Sequence, residues 1–315
     1  MIAQKYISLG YAAYKVLPLC GLSKSAYYYL PKSGKRGRKV SSHTMRHDGI
    51  LYSNVYVLER IEWLLGQEFV DYGYEKVAAW LKDTERLVIN EKKVYRLMKE
   101  ARLLSQRIRR NKRGKRIAQD LLPSPEVAFQ CMQTDIKYIY VHGQHRNALL
   151  ITVLDVYSRG VLGYRLAWSI TKHQVIELMK EVLYHYQLPE KVTLRTDNGS
   201  QFEAGLFREY LKEMVIEHEF THVATPQENC YIESFHSIVE SAVCSKYEFE
   251  SLEEAKATFN RFMNFYNQER LHSSLGKQAP NQFLERSNSA QKLPTLPLEP
   301  TQKYKLNQTT PLVES

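Results

Sequence analysis

The chain reads as an α/β protein in which a mixed sheet flanked by helices is preceded by small all-α segments. Three observations predict this. Its 315 residues suffice for about two domains with buried cores. The spacing of apolar residues changes from a helical period to extended runs after Pro123 and Pro125. The charge is also divided: residues 1–126 hold 25 Lys and Arg against 12 Asp and Glu, a net +13, and the remainder carries −3.

Composition narrows the classes. With 43% hydrophobic and 25% charged residues the chain is neither collagenous nor wholly disordered. Cys20, Cys131, Cys230 and Cys244 form no C-x-x-C pair, so no thiolate zinc site is expected and a reducing, intracellular setting is. The apolar stretch Ala148 to Val156 is broken by Thr152 and Asp155 and is too short to span a membrane. Ile7 to Cys20 is apolar enough to suggest a signal peptide, but Lys15 interrupts it and no small-residue cleavage pattern follows.

The elements follow in order. Residues 1–40 comprise two short helices within Tyr11 to Leu30, turning at Gly21 with Ser23 as a cap, and then a basic linker. This spacing is helix-turn-helix-like, and any helical hairpin can share it. Residues 41–104 are read as helical and DNA-binding. Tyr72-Gly73-Tyr74 separates two helices, and Asn90 caps a third in which Val94, Leu97, Met98 and Ala101 face inward. Lys92, Lys93, Arg96 and Lys99 occupy its outer side, as a DNA-facing helix or a solvated one would require.

Residues 105–126 form a basic linker. Arg107, Arg109, Arg110, Lys112, Arg113, Lys115 and Arg116 stand in ten residues without an acid, suited to neutralising phosphates. Residues 127–285 hold a three-strand meander over Met132–Val141, Asn147–Ser158 and Gly160–Trp168. Helices at Thr171–Gln187 and Ser200–Met214 then alternate with strands at Lys191–Thr196 and Glu217–Val223. Helices at Cys230–Lys246 and Leu252–Arg270 close this region, and the proline-containing residues 286–315 read as a mostly disordered tail.

Three carboxylates stand out. Asp135 lies within a strand that otherwise wants burial, Asp197 ends a strand ahead of Asn198-Gly199, and Glu233 sits off the apolar stripe Ile232, Phe235, Val239, Val243. Taken singly, they could be an edge-strand charge, a turn residue and a surface residue. Brought together, they would repel unless cations neutralised them, and hard oxygen ligands favour two Mg2+ or Mn2+ ions, which activate a hydroxyl for in-line phosphoryl displacement. His222, His236 and His272 match no zinc spacing.

The order Asp135, sixty-one residues, Asp197, thirty-five residues, Glu233, with Thr196-Asp197-Asn198-Gly199 and Glu233-Ser234-Phe235, resembles the DDE core of retroviral integrases and bacterial transposases. Tyr72-Gly73-Tyr74, Asn90 to Leu103, Leu154 to Arg159 and Phe265-Tyr266-Asn267 to Pro280 are similar to the second-frame (orfB) transposases of the insertion sequence three family, a likeness spanning about residues 11 to 285. The resemblance implies a ribonuclease-H-like core, with Asp135, Asp197 and Glu233 as catalytic metal ligands, that nicks one strand at each element end to release a 3′ hydroxyl and then uses that hydroxyl to attack DNA. It further implies Asn198, Gly199, Gln201 and Asn229 near the DNA, although Asn229 also suits a helix cap, and Asp155 as a structural or positioning residue.

Expected partners are the terminal repeats, target DNA, further copies in a synaptic complex, and a first-frame product supplying more DNA binding. The expected location is the bacterial cytoplasm, at the nucleoid. Other readings are a silent DNA-binding regulator and a ribonuclease-H-like nuclease without strand transfer. One departure is Glu240, where the family commonly has Lys or Arg; Lys246 or another cation would have to compensate.

Overall fold

The computed structural model describes residues 2–29, 40–104, 123–221, 226–287 and 292–298. The chain divides into two compact units, Met1–Ser42 and His43–Ser315. Among the described residues no helix is long and apolar enough to cross a membrane.

The first unit holds α1 (Ile2–Ser8), α2 (Ala13–Leu19) and α3 (Lys24–Tyr27) around Ala3, Val16 and Leu17. The α2–α3 turn passes through Gly21 at φ +65°, a left-handed conformation that favours glycine. The Ser23 hydroxyl accepts the Ala26 N–H at 3.1 Å and so starts α3. The basic linker at 32–39 lies outside the described residues.

The second unit begins with β1 (His43–Arg46), β2 (Leu51–Ser53), α4 (Asn54–Leu65), α5 (Tyr74–Asp83), β3 (Leu87–Val88) and α6 (Glu91–Glu100). The three helices follow the apolar periodicity, and the Asn90 side chain caps α6 by accepting the Lys93 N–H at 2.8 Å. The antiparallel sheet β2-β1-β3 is an addition to the helical reading. Strands of two to four residues are too short for alternation to show in a sequence.

The larger sheet comprises β4 (Cys131–Val141), β5 (Arg146–Asp155), β6 (Val161–Ala167), β7 (Val192–Thr196) and β8 (Ile216–Phe220) in the order β6-β5-β4-β7-β8. The first three strands form the expected meander, and β7 and β8 run parallel to β4. This mixed order, flanked by helices, is the mixed sheet that the sequence predicts. α7 (Lys172–His185) packs on β6; the expected helix at 200–214 is divided at the extended Ala204 into α8 (Ser200–Glu203) and α9 (Gly205–Glu213). α10 (Cys230–Val239) lies along β4 and continues as a π-helical turn over Glu240–Cys244; α11 (Leu252–Gln268) follows, then α12 (Pro280–Arg286).

Residues 292–298 depart from the expected disordered tail. Leu293, Leu296 and Leu298 are buried in the core, and their backbone is satisfied by side-chain amides: Asn281 accepts the Leu293 N–H at 2.7 Å and Asn264 the Leu296 N–H at 2.8 Å. The prolines that suggested disorder flank leucines that fill apolar space.

The helical region at 43–104 interlocks with the sheet domain. Phe69 enters the core of the sheet domain beside Phe262, while Leu271 enters the helical core. Tyr72 accepts the Leu271 N–H at 3.0 Å, so the Tyr72-Gly73-Tyr74 motif meets the segment that follows Phe265-Tyr266-Asn267. Asp71 pairs with the buried Arg270 and accepts the Ser241 hydroxyl at 2.8 Å. Burial pushes the Asp71 carboxyl up, and the charge and hydrogen bonds of Arg270 more than reverse this, holding it below the usual range.

Asp71→Ala strands a guanidinium that is 3% exposed. It is expected to lower unfolding stability by about 3–5 kcal/mol in urea titrations at neutral pH, with much of the loss recovered when Arg270→Met is added.

Candidate active site

The site is assembled by the register of two parallel strands. Thr134 of β4 pairs with Thr196 of β7, so the residues that follow, Asp135 and Asp197, stand side by side where that pairing ends. Neighbouring strands lie about 4.8 Å apart, which brings the two carboxylates onto one edge.

The third carboxylate is placed by α10. Gln133 is fully buried; its amide N–H donates to the Glu228 carbonyl at 3.1 Å, and its oxygen accepts the Ile232 N–H at 3.0 Å. Arg195 of β7 donates to the same Glu228 carbonyl at 3.0 Å and pairs with Glu219. Two strands thus hold the start of the helix whose first turn carries Glu233. Sequence reading missed both residues; the available signal was a glutamine and an arginine in strands otherwise built for burial.

Electrostatics link the three carboxylates. The Asp135 carboxyl is raised to about 6: burial is the largest cause, the Ile136 N–H opposes it, and the charges of Asp197 and Glu233 add to it. Glu233 is also raised by burial. Asp135 therefore feels both of the other acids, a situation that a bound cation relieves. The donor set, carboxylate oxygens alone, suits a hard divalent ion. Among the described residues no group of three or more His, Cys, Asp or Glu stands close enough to hold a metal ion. In donor chemistry and charge the trio fits such an ion.

The surrounding residues have separable tasks. Asp197 accepts the Gly199 N–H at 3.1 Å. Gly199 has ordinary backbone angles, φ −63° and ψ 140°, so its glycine serves space: a Cβ there would come within 2.5 Å of the Gln201 amide and 3.0 Å of the Asp197 carboxylate. Asn198 donates to the Thr221 carbonyl at 3.2 Å and ties the loop to the end of β8. Asn229 makes no side-chain cap bond; it is buried, and its Oδ1 has no partner among the described residues. Asp155 is buried at the end of β5, accepting from the Phe129 and Ser158 N–H groups and the Ser158 hydroxyl, a structural task.

His236 Nδ1 lies 3.6 Å from Asp135, with its pKa lowered to about 4 by burial and by Lys137. His272 is buried against the Tyr266 ring, and His222 lies outside the described residues.

The basic candidates divide. On α6, Lys92 and Lys99 are exposed, whereas Lys93 donates to the His43 carbonyl at 2.6 Å and Arg96 is half-buried and 4.0 Å from Glu100. Arg107, Arg109, Arg110, Lys112 and Arg113 lie outside the described residues. Lys246 donates to the Val70 carbonyl at 3.0 Å and does not compensate Glu240; Lys137 of β4 does, at 2.9 Å.

The raised Asp135 carboxyl makes a signed prediction for the metal-free protein. The folded state holds this proton more tightly than the unfolded chain, so the penalty grows as pH rises from about 4 to about 6 and persists above. Asp135→Asn is expected to raise neutral-pH stability by on the order of 1–3 kcal/mol, to flatten that pH dependence in thermal unfolding, and to abolish any increase in Tm on adding Mg2+.

The chain is similar in part to several known proteins. The integrase core domain family matches residues 125–226, a second integrase core domain family matches 214–280, and an HTH-like domain matches 58–113. The uncharacterized 39.2 kDa protein of insertion element IS476 from Xanthomonas euvesicatoria is 27% identical over 282 residues, covering 90% of this chain and 75% of its own length. The transposase InsF for insertion sequence IS3A of Escherichia coli K12 is 29% identical over 136 residues, covering 42% of this chain and 47% of its own. The HTLV-2 integrase catalytic core domain aligns with half of the chain and 97% of its own at 16% identity and a TM-score of 0.39. The chain thus matches an HTH-like domain ahead of an integrase core domain, and the relatives it resembles are proteins of insertion elements.

Proposed function

We propose that this protein is a transposase that cleaves the ends of its element to release 3′ hydroxyls, which then attack target DNA and join the strands to it, with Asp135, Asp197 and Glu233 holding two divalent ions, Mg2+ or Mn2+. The observation that carries the proposal is the β4–β7 register, which sets Asp135 beside Asp197 where the pairing ends.

The protein's own groups supply position and charge. Asp135 and Asp197 are set by backbone register, and Glu233 by the hold of Gln133 and Arg195 on the start of α10. Ions bound there supply activation of the attacking water or 3′ hydroxyl and stabilisation of the leaving oxygen. Gly199 leaves room for the Gln201 amide beside Asp197, where a DNA strand would pass.

Binding of the element ends falls to the basic N-terminal residues. Lys92 and Lys99 present charge on the HTH-like domain, with Lys93 and Arg96 set further in, and Arg107, Arg109, Arg110, Lys112 and Arg113 extend the positive run. Joining two ends to one target calls for at least two copies in a synaptic complex, and a first-frame product would add DNA contacts. A DNA substrate of this kind places the protein at the bacterial nucleoid.

The test is a labelled-end assay with plasmid target, with Mg2+ or with chelator. Wild type is expected to yield joined product only with the ion. Asp135→Ala and Asp197→Ala should lose joining by more than the roughly 10–100-fold typical of disturbing an outer-shell partner, while retaining end binding. Cleavage without joining would mark a nuclease, and binding without cleavage, even with a first-frame fusion, a silent regulator.

A further inference from the structure

The acids at the site create a problem for a substrate that is itself a chain of phosphates. Asp135, Asp197, Glu233 and Glu240 all lie on or beside the β4 and α10 elements. Of the nearby cations, Arg195 is spent on Glu219 and the Glu228 carbonyl, and Lys246 on the Val70 carbonyl.

Lys137 is differently placed. It follows Asp135 by two residues on β4, so both side chains leave the same face of the sheet. The neighbour of Asp135 on α10 is His236, whose Nδ1 lies 3.6 Å from it, and the next turn along carries Glu240. Its partner is Glu240, at 2.9 Å, and the two differ in exposure: the lysine side chain is 19% exposed and the glutamate 59%. An ammonium has three donors, and an ion pair with a solvated carboxylate is one that another anion exchanges readily.

We propose that Lys137 is a DNA-phosphate contact beside the cleavage centre, and that Glu240 holds its ammonium in position until the phosphate displaces it. This rests on the transposase reading above. It gives the two members of the ion pair opposite effects on DNA affinity, which a purely structural pair does not.

The measurement is fluorescence anisotropy of a labelled duplex carrying the element end, in chelator, across a salt series, using wild type, Lys137→Met and Glu240→Gln. Lys137→Met is expected to bind about three- to tenfold more weakly, with the log–log salt dependence shallower by about 0.9. Glu240→Gln is expected to bind more tightly than wild type. Glu240 is largely exposed, so this variant tests the proposal even if Lys137→Met folds poorly. Weakening by both substitutions, or by neither, overturns the inference. If wild type joins ends while both variants bind as it does, this inference alone fails; if wild type binds no DNA, the transposase reading fails with it.

Discussion

The structure depends on the alignment of one strand with one helix. Gln133, Asp135 and Lys137 project from the same face of β4, and their neighbours on α10 and its extension are Ile232, His236 and Glu240. Two residues of strand advance about 6.7 Å and four residues of helix about 6 Å, so the elements keep step over this length. A shift of one residue in β4 would turn all three side chains to the opposite face and remove Asp135 from Asp197.

Polar groups hold that alignment although they lie in or near the core. The buried Gln133 has both ends of its amide bonded, and Arg195 doubles the hold on Glu228. Buried polar groups satisfied in this way specify one arrangement, where apolar contacts alone would tolerate sliding. Farther along, Ser241 in the π-helical turn bonds Asp71 of the HTH-like region, which also pairs with Arg270. The helix carrying Glu233 is therefore anchored by the sheet at one end and by the HTH-like region near the other.

Much of this was legible in the sequence because it is local. Ser23 and Asn90 show as caps, the meander shows as three apolar runs, and Asp135 and Asp197 show as carboxylates in or after strands. What was not legible depends on distant partners. The Lys137–Glu240 pair spans over a hundred residues, so Glu240 reads as an isolated acid until the fold brings Lys137 to it. Leu293 and Leu296 read as part of a proline-rich tail until Asn281 and Asn264 supply their backbone partners. The small sheet β2-β1-β3 escaped because its strands are too short for a two-residue alternation to repeat.

The central claim is that Asp135, Asp197 and Glu233 converge to hold divalent cations, and anomalous diffraction from crystals of the protein with end DNA, soaked in Mn2+, tests it most directly. The account predicts manganese peaks in contact with Asp135 and Asp197, with Glu233 completing the set. Manganese bound elsewhere, with these carboxylates free of it, would contradict the account.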